Sequence, residues 1–88
     1  MSNKPAPSQA ERVYAKFGGA RQLFESLGRL ADATGDESHR RNRVTVYKWN
    51  QPRSKGGSDG YIPAKPMHSI KLAARREGVL LTAEDTRP

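Results

Sequence analysis

Arg43, Val44, Tyr47 and Lys48 fall on one side when the stretch after Asn42 is drawn as a helix at about 100° per residue, and Thr45, Val46 and Trp49 fall on the other. Drawn as a strand, the same stretch mixes charge and aromatic rings on both faces, so the helix is the cleaner reading despite the β-propensity of its valines. A helix that enters the DNA major groove needs planar or short donors near its N-terminus, where side chains reach base edges. Arg43 is placed for that, and arginine to guanine is the commonest specific contact. Val44 suits a thymine methyl, and Tyr47 and Lys48 lie one turn further on. Val46 and Trp49 are expected to anchor the helix to the body of the protein.

Phosphate contacts are expected around this helix. Arg40 and Arg41 precede it, Thr45 lies within it, and Arg53, Ser54, Lys55, Gly56 and Gly57 follow it. Glycine lets the backbone approach a phosphate closely and offer its N–H. Between Glu37 and Asp59 there are six lysines or arginines and no acid. The whole chain carries a formal net charge of +7 and a pI of about 10.3. Such a field favours nucleic acid or an anionic membrane.

Other chemistries find little support. Without cysteine, neither a disulfide framework nor a thiolate metal site is available. Two histidines, His39 and His68, are too few for zinc by imidazole alone. Neither lies near an acid with an evident nucleophile; His39 reads as solvated in a charged loop, His68 as a residue at a helix edge. Gly56, Gly57 and Gly60 lack the spacing and the Lys-Ser/Thr of a phosphate-binding loop. No enzyme, cofactor, metal or small-molecule ligand is expected. The first residues lack a signal-peptide apolar stretch and no segment is suited to span a bilayer, so a cytoplasmic protein is expected.

At 88 residues there is room for one domain with a modest core. Residues 1–7 read as a disordered arm, and 8–88 as the folded domain. Ser8 with Glu11 fits a capping box, followed by Ala10, Val13, Tyr14 and Phe17 on one helical face until Gly18 and Gly19 break it. Ala20, Leu23, Phe24, Leu27, Leu30 and Ala31 mark a second helix that stops at Gly28 or, as the periodicity favours, at Gly35. "GDESHR" reads as loop. The third helix is expected at about 43–50 and ends before Pro52. "PRSKGGSDGYIP" reads as a long, flexible, basic loop. A fourth helix opens at Pro63 and runs over about 63–77, with Met67, Ile70 and Ala74 inward and Lys65, Lys71, Arg75 and Arg76 outward, until Gly78. Val79, Leu80 and Leu81 form a short apolar plug before a turn capped by Thr82. The fold class is therefore all-α, a bundle of four to five short helices.

Three stretches carry a family resemblance. "FGGARQLFESLG" resembles the second-helix stretch of small Cro/repressor helix-turn-helix proteins of the YdaS-like and Cro-like type. "VTVYKW" resembles their recognition helix, and "GYIPAKPMHSIKLAARREGVLLTAEDTRP" resembles their ending. The resemblance covers roughly Phe17 to Pro88. It implies a lambda-repressor-like helix-turn-helix and a bacterial, nucleoid-associated regulator of phage or prophage type. It also implies binding to double-stranded operator or promoter DNA as a homodimer, or as a heterodimer with a related small regulator; a repressor is expected because no activation or effector domain is present. The family's recognition positions map onto Arg43, Val44, Tyr47 and Lys48, and its core positions onto Val46 and Trp49. Two features depart from it. Thirteen residues separate Gly28 from Asn42, so either the second helix is longer or the turn carries an insertion, and the loop after Trp49 is also long. A rival reading is a protein-interaction module, an antitoxin or co-regulator that contacts a partner through Val79, Leu80 and Leu81. An RNA-binding module lacks an aromatic platform on a sheet.

Overall fold

The structure is a computed structural model that describes residues 6–88. Five α-helices and no strand occur among the described residues: α1 (Gln9–Phe17), α2 (Ala20–Thr34), α3 (Arg43–Lys48), α4 (Ala64–Glu77) and α5 (Ala83–Thr86). Single 3-10 turns at Glu37–His39 and Arg53–Lys55 flank α3. The expected N-terminal arm lies outside the described residues except for Ala6 and Pro7, which are exposed. No helix of the described residues is long and apolar enough to cross a membrane.

Local chemistry sets each boundary. Ser8 Oγ accepts the Glu11 N–H and Ser8 N–H donates to Glu11 Oε1, each at 3.1 Å, so the capping box forms. Gly18, at φ 93°, closes α1 in the left-handed conformation that glycine adopts without penalty. Helix α2 runs straight through Gly28 to Gly35. Leu30 and Ala31 explain this, since both are buried and extend the stripe begun by Leu23 and Leu27. A helix interior tolerates one glycine at about 1 kcal/mol, less than burying a leucine returns. Helix α4 has Pro63 as its N-cap rather than its first residue and ends at Gly78. Thr82 and Asp85 form a second capping box around α5.

Helix α2 is the hub, packed against α1, α3, α4 and the 3-10 turn before α3, while α5 rests on α1. The core joins Ala10 and Val13 of α1, Leu23, Leu27 and Leu30 of α2, Val46 and Trp49, Ile62, and Met67, Ile70 and Ala73 of α4. A buried amide ties distant segments together. Gln9 Oε1 accepts the Ile62 N–H at 2.7 Å and Gln9 Nε2 donates to the Thr86 carbonyl at 2.6 Å. At the opposite end, Glu77 of α4 accepts from Ser26 Oγ at 2.8 Å and from Arg29 Nε at 2.7 Å.

Candidate nucleic-acid interface

Helix α3 is short, and its position rests on contacts at both ends and beneath. Asn42 Oδ1 accepts the Thr45 N–H at 2.8 Å, so Asn42 is the N-cap of α3. Val46 is fully buried and Trp49 is 3% exposed, so both anchors hold as expected. The Tyr14 hydroxyl of α1 donates to the Val46 carbonyl, fastening the middle of α3 to the first helix. Burial, reinforced by Tyr47 nearby, pushes the Tyr14 phenol up to about 12.

With Val46 and Trp49 inward, Arg43, Val44, Tyr47 and Lys48 face out and line one groove together with Gln51. Val44 is 61% exposed and Tyr47 43%, large apolar surface left open on a chain with few such residues. Arg43 and Lys48 have no carboxylate partner among the described residues. The four residues expected to read bases are thus brought together on one exposed face. Thr45 is half-buried, and it lies on the inner side with its N–H committed to Asn42.

The flanking residues divide differently. Arg40 does not stand free as a phosphate clamp: it donates to Asp32 and, through Nε at 2.7 Å, to Glu37 Oε2. Its guanidinium packs over Gly28, where an added Cβ would lie 3.3 Å from Nη1. These two carboxylates hold Arg40 firmly protonated, and in return Arg40 holds the Glu37 carboxyl below its usual range. Arg41 donates to backbone carbonyls, to Arg40 at 3.0 Å and to Ser38, with no acid beside it. It lies between two grooves: one shared with Arg43, Phe24 and Gly28, the other with Lys65 and His68.

The segment after Trp49 is not a loose loop. Ser58 N–H donates to the Lys48 carbonyl at 3.2 Å, Asp59 N–H to Gln51 at 2.9 Å and Gly60 N–H to Trp49 at 2.7 Å. Gly56 N–H donates to Arg53 and Gly57 N–H to Pro52, each at 3.0 Å. The expected phosphate role for those two N–H groups is therefore corrected: both already serve the turn. Arg53 pairs with Asp59 at 3.2 Å, so its charge is matched locally. Ser54 and Lys55 are exposed, Lys55 without an acid beside it, and Gly56 brings the turn within reach of Lys48 Nζ. A Cβ on Gly57 would fall 2.2 Å from the Gln51 oxygen, and one on Gly60 would fall 2.4 Å from Ser8 Cβ. Ser8 Oγ also donates to Asn50 Oδ1 at 2.6 Å, so the N-terminus of α1 supports the turn.

His39 departs from expectation too. It is half-buried, with Nδ1 2.8 Å from Ser69 Oγ of α4 and Nε2 3.6 Å from Asp36 Oδ2. It braces the 3-10 turn before α3 against α4 rather than standing in solvent. No sequence signal pointed to this, because Ser69 lies 30 residues away. Among the described residues no group of three or more histidines or acids could hold a metal. Comparison with known protein families, curated proteins and solved structures finds no match to this chain.

Proposed function

We propose that this protein is a sequence-specific double-stranded-DNA-binding transcriptional regulator, a repressor of the helix-turn-helix type with α2 and α3 as its two helices. The supporting observation is the outer face of α3, where Arg43, Val44, Tyr47 and Lys48 line one groove above a buried Val46–Trp49 anchor. Arginine and lysine at the N-terminal and C-terminal ends of that face, with an open valine between them, match what a major-groove helix presents to base edges. Arg41 and Lys55, without carboxylate partners, take the phosphate role. In this reading the long link between α2 and α3 is an ordered insertion, held by Arg40 to α2 and by His39 to α4. A pair of copies would read half-sites about 34–36 Å apart.

Binding of the purified protein to fluorescent DNA from its own promoter region, against random DNA at two salt concentrations, tests this. Promoter-selective binding that weakens steeply with salt is expected. Equal, weak binding to both DNAs would overturn sequence-specific reading. A second reading, the protein-interaction module, draws on Leu80, which is 77% exposed beside a groove formed with Val79, Leu81 and α4. Stoichiometric co-purification of a partner without DNA binding would favour it.

A further inference from the structure

Helix α4 carries a basic face that the reading above leaves unused. At about 100° per residue its buried residues Pro66, Met67, Ser69, Ile70, Ala73 and Ala74 occupy one arc. Lys65, His68, Lys71 and Arg75 occupy the opposite arc, all exposed. Arg76 lies at the edge of this arc, beside Glu77 and Arg29. Among the described residues none of Lys65, Lys71, Arg75 and Arg76 makes an ion pair. The contrast is informative, because among the described residues every acid but Glu11 and Asp36 pairs with a lysine or arginine away from this face.

This face is continuous with α3. Lys48 and Arg43 share one groove, Arg43 and Arg41 share the next with Glu25, Asp32 and Glu37, whose charges are matched by Arg21 and Arg40, and Arg41, Lys65 and His68 share a third. From Lys65 to Arg75 the helix then advances about 15 Å, with a cation at each of three successive levels. That length corresponds to about four phosphates along one strand of a duplex. Resting on the DNA-binding reading, we propose that the outer face of α4 is a second phosphate-binding surface, which follows the backbone of the same duplex beyond the segment that α3 reads. Its partner is the phosphate backbone irrespective of base sequence, because lysine and arginine on long stems meet it as charges. The surface would lengthen the footprint on the side of the α4 C-terminus, away from α3, and contribute affinity without selectivity.

The test is a salt titration of the full chain on a duplex containing its site and on random duplex. It compares the wild type with the triple variant Lys65→Gln, Lys71→Gln, Arg75→Gln and with a control of equal charge, Lys16→Gln, Arg21→Gln, Arg87→Gln. Melting curves establish that each variant is folded. The α4 variant is expected to lower the slope of log affinity against log salt by about 2 to 3. It should weaken site and random DNA by the same factor and shorten the protected segment at one end. The control should leave slope and footprint as in the wild type. An α4 variant with wild-type slope and footprint overturns the proposal and leaves the function of α3 standing. Equal losses in both variants also overturn it, since net charge alone would then suffice. Absence of any DNA binding by the wild type overturns both readings, and duplex RNA bound as tightly as DNA by the wild type assigns the surface to another partner.

Discussion

At the scale of single residues, the proposed function gives Arg43 and Lys55 different tasks, reading bases and holding phosphate. Both are exposed and without acid partners, yet Arg43 stands at the start of α3 and Lys55 on the turn behind it. Arg43→Ala is expected to cost roughly 1–3 kcal/mol on the specific site and to relax preference at one base pair, whereas Lys55→Ala should weaken all sequences alike. Competition binding against single-base variants of the site distinguishes them; equal losses on specific and random DNA would remove Arg43 from the base-reading set. Tyr14 offers a test independent of DNA. Its folded-state value of about 12 lies above the ordinary 10, so its contribution is fully present below pH 10 and is lost as the pH rises towards 12. Alkaline melting curves of Tyr14→Phe should therefore fall less between pH 10 and 12 than those of the wild type, and should start lower at pH 7 by about 1 kcal/mol for the lost hydrogen bond.

At the scale of elements, the turn at 49–60 is a rigid support for α3. Gly57→Ala would drive a methyl into the Gln51 and Lys48 carbonyls, at 2.2 and 2.5 Å. A loss of about 2 kcal/mol or more is expected, seen as a melting temperature lower by roughly 10 °C. Trp49, which closes the same turn, provides the fluorescence signal. An unchanged melting temperature would mean that the turn yields easily. The same elements show how far the sequence could be read. Helices α1, α2 and α4 were legible because each carries a local apolar stripe and a cap within a few residues of its end. Helix α3 was legible through Asn42 and the split between Val46–Trp49 and Arg43–Lys48. The outward face of Arg43, Val44, Tyr47 and Lys48 followed from that split. The roles of Arg40, Gly56, Gly57 and His39 did not. Those are fixed by Asp32 and Glu37, by carbonyls of α3 and its turn, and by Ser69, contacts that composition records only as charge and glycine. "Flexible basic loop" and "ordered basic turn" have the same composition.

At the scale of the molecule, the acids hold the fold while the unpaired cations remain available for a ligand. Hydrogen bonds lower Glu77 through Arg29, Glu37 through Arg40, Asp36 through Ser38 and Asp85 through Thr82. Each therefore contributes stability that is present above its ordinary value and is lost as the pH falls through the lowered one. Melting temperature should decline once the pH drops below about 4.5. Glu77→Gln should already be destabilised at pH 7 and decline less on acidification; an identical acid profile for variant and wild type would remove the Arg29–Glu77 pair from this account. The Gln9 amide has a different kind of consequence. Its carbonyl acceptor on Thr86 lies 77 positions further along the chain. A ribosome adding about 5–20 residues per second makes Thr86 roughly 4–15 seconds after Gln9. Until then α1 has no α5 to rest on, and Gln9 Nε2 lacks the acceptor that later buries with it. A nascent chain of this protein therefore spends seconds with α1 waiting for the segment that completes its packing.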